Sequence, residues 1–249
     1  MISYPNVKLN LGLNVLRKRP DGYHDLETLF LPYYGYSDIL EINPGDSSIE
    51  IIGGNWDPKT DLTWKAWQLL KEELDIPSVD IRLTKRSPVG AGLGGGSADA
   101  AFALRMMDSL FSLNLGEEKL ASYAARLGSD CAFFLYNKPM MGEGRGERLT
   151  PFSIDLSAYE IRVQIPEGVS VSTREAYSGI VPQIPSEPLR NLLKLPAAEW
   201  KDRVCNDFEK TVFPLHPELE QLKNSMYEAG AVYAAMSGSG SAVFGLFRK

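Results

Sequence analysis

Pro88-Val-Gly-Ala-Gly-Leu-Gly-Gly-Gly-Ser-Ala-Asp-Ala-Ala101 carries glycine at 90, 92, 94, 95 and 96. Glycine lets backbone N–H groups approach a ligand with no Cβ between them. The residues that follow, Ser97 to about Leu113, carry few charges and read as a helix. A glycine turn feeding a helix N-terminus presents amides and a positive dipole end to an anion, most often a phosphate.

Three phosphate motifs compete for this stretch. Gly90, Gly92 and Gly95 satisfy G-x-G-x-x-G, the dinucleotide fingerprint. The strand before it, Val79-Asp-Ile-Arg-Leu-Thr84, alternates apolar and polar, whereas a first dinucleotide-fold strand is buried on both faces. A Walker loop needs Lys then Ser or Thr after its last glycine, and position 96 is Gly. The third is a cradle of another kind, built from glycine amides and Ser97. A plain helix cap needs fewer glycines than this stretch supplies.

Upstream, Val7, Leu9, Leu11, Leu13 and Val15 share one face of a strand over residues 6–16, the core face. Lys8, Asn10, Gly12 and Asn14 share the other, where one charge and two short amides suit a cleft lining. The run Arg17-Lys-Arg19 and the turn Pro20-Asp-Gly22 lead to Tyr23 and His24, then to a strand over Leu26–Leu31. From this stretch alone, a hairpin with a surface histidine is the better reading. Short strands are predicted at 38–42 and 48–52. Trp64, Trp67, Leu70 and Leu74 recur at helix spacing over 62–74, the tryptophans as core.

Downstream, apolar residues surround most of the helix after the loop, which predicts burial. A second helix spans about 117–127, with Gly128 as its stop. Asp130 then stands before the apolar run Cys131–Leu135. It is either the N-cap of a short helix or a semi-buried carboxylate that takes a proton, and position alone does not separate the two. Gly142–Gly146 reads as a tight hairpin, in which Arg145 could reach a ligand but is better assigned to the turn. The polar stretch 147–157 predicts a boundary, giving domains 1–150 and 151–249. Further along come a strand at 159–165, a helix start at 172–177 and a Pro-rich loop at 182–188. Helices at about 197–210 and 217–229 follow, then two strands around Ser237-Gly-Ser-Gly-Ser241.

The chain has 249 residues, 44% hydrophobic and 23% charged, as ordinary globular proteins do. Its net charge of −6 argues against non-specific nucleic-acid binding. Positive partners for a phosphate must therefore be local, with Lys8, Arg17–Arg19, Lys85 and Arg86 as candidates. Cys131 and Cys205 are far apart and the two histidines are His24 and His216, so neither a disulfide framework nor a histidine metal centre is suggested. No apolar run would span a bilayer and no signal peptide is visible, so a cytoplasmic protein is expected.

Val7-Lys-Leu-Asn-Leu11, the glycine loop and Met236-Ser-Gly-Ser-Gly-Ser241 together resemble the GHMP superfamily of galactokinase, homoserine kinase, mevalonate kinase and phosphomevalonate kinase. Arg19-Pro-Asp-Gly-Tyr-His-Asp-Leu-Glu-Thr-Leu-Phe30 resembles one branch. That branch phosphorylates a cytidine diphosphate-linked methylerythritol in non-mevalonate isoprenoid biosynthesis. The resemblance implies an α+β, two-domain GHMP kinase fold. Its N-terminal domain would be ribosomal-protein-S5-like, with a left-handed β-α-β element, and its C-terminal domain ferredoxin-like. The active site would lie in the cleft between them. It implies ATP and Mg²⁺, a small-molecule substrate, no membrane or nucleic-acid partner, and a monomer or weak homodimer. By position, Asp130 would be general base and Lys8 its catalytic partner. Pro88, Val89, Gly90, Ala91, Gly92, Leu93, Gly94, Gly95, Gly96, Ser97 and Ala98 would wrap the ATP phosphates. Tyr23 and His24 would hold the cytosine, with Tyr177 as a second stacking ring. Asn10 and Thr173 would line the substrate side. The chain departs from the family pattern in three places. Ala98 replaces a second serine and leaves Ser97 alone for phosphate or magnesium. Ala132 replaces a proline, and Asp61 replaces the asparagine expected to touch adenine. Another small-molecule kinase of the superfamily, of homoserine or mevalonate type, is the alternative.

Overall fold

The alternation at the N-terminus becomes a long strand. The structure, a computed structural model, describes residues 1–249. A two-residue strand, β1 (Ile2–Ser3), precedes β2 (Asn6–Lys18). Residues 6–13 are buried on both faces, so the polar face expected to line a cleft is itself enclosed. β3 (His24–Ser37) outruns the six residues expected for it. Pro32 lies beyond the stretch Leu26–Phe30 that pairs with a neighbouring strand, so its missing N–H breaks no bond of that pairing.

The chain forms two compact units, each drawn from several segments. The first comprises residues 1–8, 32–89 and 94–138, and the second 9–31, 90–93 and 139–249. The expected boundary at 147–157 falls inside the second.

In the first unit, β4 (Ile39–Pro44), β5 (Ser48–Ile52) and β6 (Val79–Thr84) join β1 in a sheet of order β1-β4-β6-β5. β5 and β6 are parallel, and the crossover between them carries α1 (Leu62–Leu74). Asp61 caps α1 by accepting the Thr63 N–H at 2.8 Å, and Asp75 closes it in a left-handed conformation. Trp64 and Trp67 are core, with ring centroids 4.5 Å apart. α2 (Gly95–Leu110) is buried on most sides, as its composition predicts. It starts two residues before Ser97 because Gly94, at φ 72°, supplies the turn into it. α3 (Gly116–Leu127) follows.

The apolar run after Asp130 is a short helix, α4 (Cys131–Tyr136). Its five residues Cys131–Leu135 are buried, and full burial of each large side chain is worth about 1.5–3 kcal/mol. Asn137 ends it at φ 47° and exchanges two carboxamide hydrogen bonds, of 2.8 and 3.1 Å, with Asn6.

The second unit holds two antiparallel sheets. β2 and β3 pair onward with β7 (Met140–Gly144) and β8 (Arg148–Pro151), the hairpin turning at Arg145 as expected. The other, in order β10-β11-β9, consists of β9 (Tyr159–Gln164), β10 (Tyr233–Met236) and β11 (Val243–Arg248). Short helices α5 (Thr173–Tyr177), α6 (Leu189–Leu192) and α7 (Glu209–Val212) and the longer α8 (Pro217–Glu228) complete it. The helix expected over 197–210 does not form. A 3₁₀ turn at Ala197–Glu199 gives way to irregular chain before α7. Asn206 and Asp207 explain this: Asn206 accepts the N–H of Phe208, a local side-chain bond that competes with a helix, and Asp207 accepts the N–H of Val15 on the distant β2. Leu13, Val15, Phe208, Val212, Leu219 and Met236 are among the core of the unit.

Candidate active site

The first unit brings Lys8 and Asp130 together. Lys8 Nζ lies 3.5 Å from Asp130 Oδ2, with side-chain exposures of 4% and 30%. Asp130 occupies the N-cap position of α4 without using its side chain as a cap, so the carboxylate is left for the lysine. Burial lowers the Lys8 pKa, and the charge and hydrogen bond of Asp130 only partly restore it. The lysine stem runs past Gly94, where an added Cβ would meet Lys8 carbons at 3.1 and 3.2 Å.

α2 opens beside these groups in the same unit. No side chain caps its N-terminus. Gly96 is exposed and a Cβ there would meet nothing within 4 Å. Uncapped N–H groups facing open space are the elements of an anion site. Ser97 hydrogen-bonds the Cys131 thiol; burial pushes that thiol up to about 12 in spite of the bond. Cys131, the residue after Asp130, is thus inert packing against Ser97.

Beneath the first turn of α2 sits a charged cluster. Lys85 Nζ bonds Asp38 Oδ2 at 2.5 Å and Asp99 Oδ2 at 2.7 Å, and all three side chains are buried. Burial pulls the Lys85 pKa down, but the two carboxylates outweigh it and the net shift is upward. Burial raises Asp99 to about 8 against the pull of Lys85, and its Oδ1 has no hydrogen-bond partner. Gly95 lies over the cluster, where a Cβ would stand 2.7 Å from Ser87 Oγ. Lys85 is therefore committed to internal carboxylates rather than presented to an anion.

The second unit holds the other half of the glycine loop, Gly90–Leu93. Gly90 and Gly92 have φ of 73° and 75°, and a Cβ on Gly92 would lie 2.2 Å from the Ser237 carbonyl oxygen. Ala242 N–H donates to Ala91 O at 3.1 Å. Ser237 Oγ donates to Gly92 O at 3.2 Å and accepts the Asn10 N–H at 3.1 Å. The small-residue turn 237–241 is thereby a fixed support of this part of the loop. Asn10 is enclosed rather than presented, its Nδ2 donating to Thr28 Oγ1 at 3.1 Å.

The same unit gathers the rings. His24 stacks on Tyr177, with centroids 4.8 Å apart and planes at 19°. Tyr177 in turn meets Phe208 edge-on at 4.7 Å. Burial, then the charge of Lys18, lower the His24 pKa below its usual range. The imidazole is thus neutral at pH 7, with one donor and one acceptor nitrogen. Tyr23 is 56% exposed, and the Arg145 guanidinium lies 4.9 Å from its ring centroid. Arg145 therefore does more than complete a turn. Thr173 is exposed at the start of α5, which also carries Tyr177. Glu175 ties that helix to His216 Nε2 at 2.7 Å.

Two contacts in this unit, Arg145 over Tyr23 and the bonds of Asn206, are not visible in the sequence. Arg145 is separated from Tyr23 by more than a hundred residues. Asn206 lies in a stretch whose periodicity suggests helix. The only local signal at Asn206 is the pair Asn-Asp, which favours backbone-bonding turns.

Residues 61–138 match the family model of the GHMP kinases N terminal domain, and 186–249 that of the GHMP kinases C terminal. A 4-diphosphocytidyl-2-C-methyl-D-erythritol kinase of Bacteroides fragilis is 50% identical, the match covering 99% of this chain and 92% of that protein. The enzyme of the same name from Azobacteroides pseudotrichonymphae is 46% identical, over 100% and 94%. A crystal structure of 4-(cytidine 5'-diphospho)-2C-methyl-D-erythritol kinase superimposes with a TM-score of 0.83 at 34% identity, covering 99% of this chain and 90% of that one.

Proposed function

The chain belongs to the 4-diphosphocytidyl-2-C-methyl-D-erythritol kinase family of the GHMP kinases, and from that premise we propose that it transfers the γ-phosphoryl group of ATP to the 2-hydroxyl of 4-diphosphocytidyl-2-C-methyl-D-erythritol. The step belongs to non-mevalonate isoprenoid biosynthesis. The observation that carries the residue assignment is the Lys8–Asp130 pair in one unit with the uncapped start of α2. Phosphoryl transfer asks mainly for positioning and charge stabilisation. Asp130 accepts the hydroxyl proton, and Lys8 orients that carboxylate and offsets charge developing on the transferred group. Residues 88–98 wrap the ATP phosphates, which are held by backbone N–H groups of the glycines between Pro88 and Ala98.

The donors suit magnesium. Ser97, in the first turn of α2, offers a hard oxygen ligand. Mg²⁺ typically takes one or two protein oxygens and completes its shell with phosphate and water. When bound, it would neutralise phosphate charge. The protein is soluble in this reading and acts in the cytoplasm; no helix is long and apolar enough to cross a membrane.

Tyr23, His24 and Tyr177 hold the cytosine, with Thr173 on the substrate side and Asn10 enclosed behind it in β2. His24 and Tyr177 touch each other, so the base stacks on an outer ring face or parts the two. His24→Ala removes binding shared by ground and transition states. It should raise KM for the cytidine substrate about tenfold and leave the ATP KM nearly unchanged. Equal rises in both would remove His24 from the base site.

The reaction itself is tested by coupled ADP release with ATP, Mg²⁺ and 4-diphosphocytidyl-2-C-methyl-D-erythritol, with mevalonate and homoserine as controls. Turnover with the cytidine substrate alone is expected. Turnover only with a control would overturn the substrate assignment and keep the phosphate loop.

A further inference from the structure

Asn206 is 1% exposed and its carboxamide is fully committed. Nδ2 donates to two carbonyls, Met236 O and Gly238 O, each at 2.8 Å. Oδ1 accepts the Phe208 N–H at 3.0 Å. The segment carrying it is itself anchored on β2. Leu13 N–H donates to Cys205 O and Asp207 N–H to Leu13 O, both at 2.8 Å, and Asp207 Oδ2 accepts the Val15 N–H at 2.7 Å. Glu209 adds a further hold by accepting the Met236 N–H at 2.8 Å.

The two carbonyls that Asn206 grips flank Ser237. That serine is the residue whose hydroxyl joins Asn10 N–H to Gly92 O and whose carbonyl abuts Gly92. A chain of polar contacts therefore runs from Asn206 through the turn 237–241 to Ala91 and Gly92. We infer that Asn206 is a positioning residue for the ATP phosphates: it fixes the turn that holds Gly90–Leu93 in shape and touches no ligand itself. The geometry leaves little slack. Gly92 is already closer to Ser237 than any Cβ permits, so a shift of that turn is transmitted to the loop rather than absorbed.

This rests on residues 88–98 being the phosphate loop, and the test separates the two ideas. Asn206→Asp keeps the size and the bond to Phe208 but turns a two-fold donor into an acceptor facing two carbonyls. Ser237→Ala removes the hydroxyl link alone. Gly96→Ala places a methyl in the open space where phosphates are expected, without a clash. Steady-state KM for ATP and for the cytidine substrate are measured for each, with thermal melts.

The expected result is a rise of about tenfold in ATP KM for Asn206→Asp, a smaller rise for Ser237→Ala, and cytidine-substrate KM within about twofold of the parent in both. A purely structural role would lower the melting temperature without splitting the two constants. That outcome, with Gly96→Ala still raising ATP KM, overturns the inference and leaves the loop standing. Unchanged ATP KM in Gly96→Ala overturns the loop and the inference together. If Asn206→Asp does not fold, an unchanged ATP KM in Ser237→Ala overturns the inference by itself.

Discussion

Asp130→Asn should lower kcat by about 10²–10⁴-fold, the usual contribution of a positioned base, while ATP still raises the melting temperature of the variant. The substitution is isosteric and keeps a polar partner for Lys8 Nζ, 3.5 Å away in the parent. It removes the ability to take a proton and, with it, the charge that faces Lys8. Asp130 makes no capping bond to α4, so loss of the charge does not unfold that helix. Single-turnover phosphoryl transfer in the presence of saturating ATP is the measurement. Near-parental turnover would remove Asp130 from the role of base and leave it a partner of Lys8 only.

Lys8→Met should cost about 10²–10³-fold in kcat, the range seen when one preorganised stabiliser of developing charge is removed. Its effect on stability should run the other way. Lys8 is enclosed, and burial depresses its pKa in spite of Asp130, so the ammonium is held in the folded state at a cost. Methionine fills the space of the stem beside Gly94 without that cost. The melting temperature of Lys8→Met should therefore equal or exceed that of the parent, while activity collapses. A fall in stability together with unchanged kcat would assign the lysine to structure. The same depressed pKa sets the alkaline limb of kcat below the ordinary lysine value of 10.5. In Lys8→Arg, whose guanidinium does not titrate in that range, this limb should vanish.

Much of the fold is legible where one periodicity dominates. Trp64, Trp67, Leu70 and Leu74 specify α1 at its observed ends, and Val79–Thr84 alternates as a strand. The glycine loop is legible because its glycines take positive φ, at 90, 92 and 94, and glycine is the residue that adopts it freely. Legibility fails where distant chain decides. Asn206 sits in a helix-like stretch, yet the carbonyls of Met236 and Gly238 claim its side chain. Asp130 reads equally as cap or base in the sequence, which gives no sign that Lys8, from a strand more than a hundred residues away, lies 3.5 Å from it. Arg145 reads as turn until Tyr23 lies under its guanidinium.

The way the chain passes back and forth between its two units bears on how it is made. Residues 9–31 leave the ribosome early but belong with 139–249, which leave last. Leu26 waits for Gly144 to complete its strand pairing, and Leu13 and Val15 wait for Val212 and Leu219 to cover them. Such sequence-distant pairing slows folding and prolongs exposure of apolar strands. A fragment begun at residue 151 would lack β2, β3 and β7 and would leave the places of Leu13 and Val15 in that core unfilled. Refolding of the full chain should accordingly be slow relative to its helical content and sensitive to protein concentration.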